Sequence, residues 1–138
     1  MTAVLTYLIA FVVLISVITI IHESGHFFAA RVCRVKVLDF SVGMGPSIFQ
    51  KQDKYQTNYN IRILPIGGFV QMLGEGENSS EKDSFQSKSY YQRLFIVLAG
   101  PMANFILAFI IFVGLNLYGI QEISSDIGQV KKDSPAYN

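Results

Sequence analysis

His22, Glu23 and His26 are the residues of this 138-residue chain whose types and spacing best suit chemistry. They stand in the stretch IIHESGHFF, and the two histidines are the only ones in the chain. Four residues apart on a helix, His22 and His26 project from one face, so both imidazoles can share a metal ion, and neutral imidazole suits zinc. Glu23 is turned away from that face by the 3.6-residue repeat and falls beside the metal instead of on it. A carboxylate there can take a proton from a water that the metal acidifies and return it to a leaving amine, which is metal-assisted hydrolysis. The same residues could also form a polar helix-packing cluster, or a proton relay in a transporter. Their position favours the metal, because ionisable groups at the end of an apolar run are costly and usually functional. The set is incomplete, since a catalytic zinc usually has three protein ligands and an open position. Asp39, Asp53, Glu75 and Glu77 lie in the intervening stretch, and nothing in the sequence brings them to the histidines. The third ligand is expected beyond residue 138.

The elements that must position this group are mostly apolar. Hydrophobic residues make up 51% of the chain and charged ones only 15%, and two stretches, Val4–Ile21 and Leu94–Gln121, carry no charge at all. Each reaches the roughly 18 to 20 residues needed to cross a bilayer core. A cleaved signal peptide is disfavoured for the first, because no basic residue precedes it and its apolar stretch exceeds the usual length. Nine of the 11 lysines and arginines lie between the two runs, so the positive-inside rule puts residues 31–93 in the cytoplasm and the N-terminus outside. A net charge of +1 gives no reason to expect nucleic acid. Cys33 is the single cysteine, which excludes a disulfide within the chain.

These signals predict an α-helical membrane protein with an inserted β-hairpin or small sheet: two transmembrane helices flanking a membrane-re-entrant β-structure on the cytoplasmic side. Residues 1–34 are the first helix, with Gly25 leaving room for another backbone to approach His26. Residues 35–73 are rich in β-branched and aromatic side chains around the polar KQDK of Lys51–Lys54, with Gly43, Gly45, Pro46, Pro65, Gly67 and Gly68 as turns or bulges. Residues 74–92 form a polar cytoplasmic loop. Residues 93–121 are the second helix, capped by Ser89 with Gln92 in a capping box and loosened at Gly100 and Pro101. Residues 122–138 turn polar, and the chain is expected to stop inside an outward-facing domain.

Taken in order, HESGHF, FSVGMGP, LPIGGFVQM and FQSKSYYQRLFIVLAGPMANF resemble the site-2 proteases, the intramembrane zinc metalloproteases, and their bacterial RseP-type branch in particular. The tail IGQVKKDSPA is similar to the opening of that branch's PDZ domain. The resemblance implies Zn2+ held by His22 and His26, with Glu23 as general acid/base. It further implies that the β-structure guides an unwound substrate strand, which places Gly67, Gly68 and Phe69 at the substrate. Asn104, in GPMAN, is expected either as a polar contact to substrate or as a helix-packing residue. The family's third ligand, an aspartate in a later helix, has no counterpart here, so this stretch alone is expected to be inactive. The implied setting is the bacterial cytoplasmic (inner) membrane, with the lipid bilayer and single-pass membrane proteins such as anti-sigma factors as partners. A non-catalytic membrane adaptor, binding clients through the hairpin and the PDZ-like domain, is the alternative.

Overall fold

The computed structural model describes residues 2–76 and 79–119; the expected PDZ-like segment at 122–138, and Glu77, lie outside them. The order is helix, strand, strand, helix: α1 (Thr2–Val32), β1 (Val37–Gln52), β2 (Asn58–Met72) and α2 (Tyr90–Tyr118). Both helices are long and apolar enough to cross a membrane. The 31 residues of α1 span about 46 Å, against a hydrocarbon core of about 30 Å. Along most of that length, from Val4 to Ile18, its large side chains are mostly exposed.

Burial is concentrated where α1 ends and α2 begins. Ala29, Ala30, Cys33, Val35, Val37, Met72 and Ile96 form the core, with Phe27, Val70, Phe85 and Ala99 packed around it. Helix α1 stops there because Arg34 takes a left-handed conformation (φ 56°). Val35 N–H then donates to Ala30 O at 2.8 Å and Arg34 N–H to Arg31 O at 3.1 Å, a Schellman ending with arginine where glycine is usual. The polar connection to α2 is tied down by Lys36 N–H to Asp83 O and Phe85 N–H to Leu73 O. Helix α2 starts at Tyr90, three residues before the expected Arg93, because Ser89 caps it and closes the capping box with Gln92.

The strands pair antiparallel, Val37 opposite Met72 through Val42 opposite Gly68, and again Ser47 opposite Arg62 through Gln52 opposite Asn58. Register breaks fall around Gly43, Gly45 and Pro46 in β1 and between Leu64 and Gly68 in β2. They let Asp39–Val42 lie opposite Asn58–Ile61 as well, with residue numbers rising together. The result is a sheet of four arms in the order Gly68–Met72, Val37–Val42, Asn58–Arg62, Ser47–Gln52. Gly43 has φ 87°, and a side chain there would strike the carbonyl of Leu64, so the bend requires glycine on both counts.

The sheet lies along α1 and is fastened to it. Ser16 Oγ donates to the Pro65 carbonyl, and Gly68 passes close to Thr19 and Glu23. Near the C-terminal end of the helix, Arg31 Nη2 donates to Asp53 Oδ2 and to Thr57 Oγ1, each at 2.8 Å. Its guanidinium stacks 4.5 Å from the Tyr55 ring centroid and 5.1 Å from that of Phe27. Buried Thr57 passes the link on to Val37 O at 2.8 Å. The turn therefore centres on Asp53–Thr57, slightly later than the KQDK cluster suggested, because Asp53 Oδ1 accepts from the N–H groups of Tyr55 and Thr57.

Burial opposes ionisation of Asp53, but the Thr57 N–H, Arg31 and the Tyr55 N–H outweigh it and hold the carboxyl below its ordinary 3.8. A carboxylate whose folded value is depressed contributes stability above its unfolded value and loses that contribution as pH falls through the folded one. Asp53→Asn should therefore lower the melting temperature of the whole protein in detergent at neutral pH. The gap from the parent should close below about pH 4, as a melting series across pH would show.

Candidate metal centre

The crossing of α1 and α2 is set by small residues. A methyl group at Gly25 would collide with the carbonyl of Ala99 and lie 2.9 Å from Ala103 Cβ, so the helices can approach this closely only with glycine there. The room expected beside His26 is thus occupied by the backbone of α2. The helices run antiparallel, so equal four-residue steps meet across the contact: Gly100 faces His26 and Asn104 faces His22.

His26 is held firmly. Its Nδ1 lies 2.8 Å from the Ile96 carbonyl, which can only accept, so Nδ1 carries the proton and Nε2 presents its lone pair. Pro101 lies inside α2 and lacks the N–H that would bond one turn back, which loosens the helix in that turn. Gly100 supplies the space, since a methyl there would overlap the imidazole. The Gly-Pro pair leaves α2 a continuous helix and serves as the seat of this ring.

His22 Nε2 stands 3.2 Å from His26 Nε2. Two nitrogens each about 2.0–2.1 Å from a tetrahedral zinc lie about 3.3–3.4 Å apart, so the pair is spaced to hold one ion. The donor types fit too, and the hydrogen bond to Ile96 is the outer partner that metal-bound histidines commonly have. Among the described residues, no third His, Cys, Asp or Glu completes a cluster.

Glu23 and His26 line a cavity of about 270 Å³ together with Phe69, Val70, Met72, Glu75, Ile96 and Val97. The Gly68–Met72 arm walls this cavity, and among the described residues it is an outer arm of the sheet with a strand partner on one side only. Gly68 packs on α1 where a Cβ would come 3.5 Å from Glu23 Cγ. Phe69 lines the cavity and its ring lies 5.1 Å from the Arg62 guanidinium. Gly67 sits one step outside, at φ 80° against the Met44 side chain.

Three features escaped the sequence. Glu75 had no assigned place but shares the cavity of Glu23, its Oε2 accepting from Met72 N–H at 3.3 Å. The Ile96 carbonyl is backbone and leaves no trace in residue types. Asn104 was singled out by its motif, yet only the structure gives its neighbour: its Nδ2 lies 3.2 Å from His22 Nδ1, and its Oδ1 is buried with no partner.

Residues 10–134 match the model of peptidase family M50. The chain is 39% identical over 132 residues to the regulator of sigma E protease of Haemophilus influenzae, covering 92% of this chain and 30% of that protein. It is 40% identical over 131 residues to a candidate zinc metalloprotease of Clostridium perfringens, with 94% and 38% covered. To the regulator of sigma-E protease RseP of Salmonella typhimurium it is 36% identical over 140 residues, with 99% and 31% covered. The chain spans about a third of the length of the curated relatives it matches. With a family model matched across both helices and the sheet, and the HESGHF pair facing one point, the chain belongs to peptidase family M50, the site-2 proteases.

Proposed function

We propose that this chain supplies two zinc ligands, His22 and His26, and the general acid/base, Glu23, of a membrane-embedded metalloprotease that cleaves single-pass membrane proteins. The observation that carries this reading is the pair of Nε2 atoms 3.2 Å apart at the end of an apolar helix, with His26 held by Ile96. Bound zinc supplies a Lewis acid at this point. Glu23, in the adjoining cavity, takes a proton from the attacking water on its carboxylate and hands it to the leaving amide nitrogen. A third ligand comes from outside the described residues.

The substrate must reach Glu23 as an extended strand, because a helix keeps its peptide groups internally bonded. The outer Gly68–Met72 arm offers a free edge beside the cavity, and strand addition there would present a peptide bond to the carboxylate, with Gly68 and Phe69 nearest the base. The sheet touches α1 from Arg31 to Ser16, about 22 Å along the helix axis. Such a contact supports a β-structure that re-enters the membrane where protein surrounds it. The charge distribution supports a cytoplasmic 31–93 segment and an outside N-terminus in the bacterial inner membrane. Anti-sigma factors are the substrate class proposed here, in keeping with relatives named regulator of sigma E protease.

The test is metal analysis of the whole protein. The parent should carry about one zinc per chain, and His22→Ala and His26→Ala should each lose it on dialysis with cleavage abolished. A parent protein free of zinc after purification with the metal present would overturn the reading.

A further inference from the structure

We propose that Asn104 is the positioning residue of the His22 ligand, fixing which ring nitrogen carries the proton when metal is bound. The inference rests on the zinc reading and adds a residue that acts through the His22 ring.

His26 leaves no freedom: its Nδ1–H is committed to the Ile96 carbonyl at 2.8 Å, so its Nε2 is bare. His22 Nε2 lies 3.2 Å from that bare nitrogen. Two lone pairs cannot face each other at this separation without a cation or a proton between them. Without metal, His22 must therefore donate from Nε2, which leaves its Nδ1 bare, and the Asn104 amide N–H at 3.2 Å satisfies it. With a cation between the rings, His22 Nε2 must turn its lone pair to the metal and the proton moves to Nδ1. Only an acceptor then fits opposite Nδ1. Rotating the Asn104 amide by half a turn places Oδ1 there with almost no change of shape.

Nothing else holds that amide. Among the described residues His22 is the only hydrogen-bond partner of the Asn104 side chain, and Oδ1 is buried without a partner. The flip therefore breaks no bond to any third group. Asparagine serves both states because it carries a donor and an acceptor, whereas aspartate serves only the metal-loaded one and leucine neither. The placement also has a helical reason. Gly100 and Asn104 are four residues apart on α2, as His26 and His22 are on α1, so one face of α2 makes room for one ligand and orients the other.

The experiment measures zinc affinity of the whole protein by competition with a chromophoric chelator, for the parent, Asn104→Leu and Asn104→Asp. Loss of an outer-shell partner typically costs 10- to 100-fold in metal affinity, and Asn104→Leu should fall in that range. Asn104→Asp should hold zinc within a few-fold of the parent or more tightly, because the carboxylate accepts from Nδ1–H in the loaded state. An Asn104→Leu variant with parental affinity overturns the proposal. So does an Asn104→Asp variant as weak as Asn104→Leu, which would show that the amide acts as a donor or as packing. If Asn104→Leu does not fold, the aspartate variant alone decides. A parent that binds no zinc overturns the metal reading and this proposal together, so the two failures are distinguishable.

Discussion

Glu23→Gln in the whole protein should bind zinc as tightly as the parent and lose cleavage by at least about 10²- to 10⁴-fold, the range expected for removing a general acid/base. That corresponds to about 3–5 kcal/mol of barrier. Glutamine keeps the shape of the side chain, so the cavity shared with His26, Phe69 and Glu75 and the close packing on Gly68 persist. What disappears is an oxygen that can accept and return a proton. Metal binding should not change, because the hydrogen bonds orienting the histidines come from Ile96 and Asn104, not from Glu23. Zinc content and single-turnover cleavage of a reconstituted membrane substrate separate the two effects. Parental turnover by the variant would remove Glu23 from the mechanism.

Gly100→Ala should be nearly as damaging by a different route. In an exposed helix interior, glycine to alanine is worth about 1 kcal/mol in favour of the helix. At Gly100 the added methyl would lie 2.7 Å from His26 Cε1 and 2.8 Å from Cδ2, well inside contact distance, with a helix backbone behind it that yields little. The imidazole must leave its seat, and the bond to Ile96 goes with it. Displacing a reacting group by about 1 Å costs on the order of 10²-fold in rate, and zinc affinity should fall along with it. Gly114 is the internal control: among the described residues nothing lies within 4 Å of a Cβ there, so Gly114→Ala should keep both zinc and activity. If Gly100→Ala behaves like Gly114→Ala, the seat is not where it is described.

The parts legible in the sequence were those set by local rules. His22, Glu23 and His26 stand out because a helical repeat of known pitch converts spacing into facing directions. Ser89 and Gln92 announce the start of α2 because a capping box spans only four residues, and the absence of side-chain bulk at Gly25 announces a close crossing. Long-range pairing was not legible. Enrichment in β-branched and aromatic side chains around a polar turn suggested a hairpin or small sheet, but not that Asp39–Val42 would have strands on both sides, since this depends on bends that bring distant segments together. Arg31 counted as one charge for topology, and its grip on Asp53 and Thr57 across more than 20 residues has no local signature. Asn104 shows both limits: its motif marked it, and its partner, 82 positions away, was out of reach.

The tether of the sheet to α1 has a consequence for how defects in this protein sort. Ser16, Glu23 and Arg31 all belong to one helix, and that helix carries the sheet at both of its tether points. Glu23, the proposed proton-transfer group, and the edge that would present the peptide therefore travel as one rigid piece. Ile96, Gly100 and Asn104, which contact the rings of His26 and His22, belong to the other helix. A change in the angle between the helices would loosen the metal while leaving the base in register with the strand edge. Lesions in α2 should thus be suppressible by raising the zinc supply, whereas lesions in the tether should not. Metal affinity and cleavage-site choice are on this view separately adjustable traits, free to drift independently among relatives that share the same chemistry.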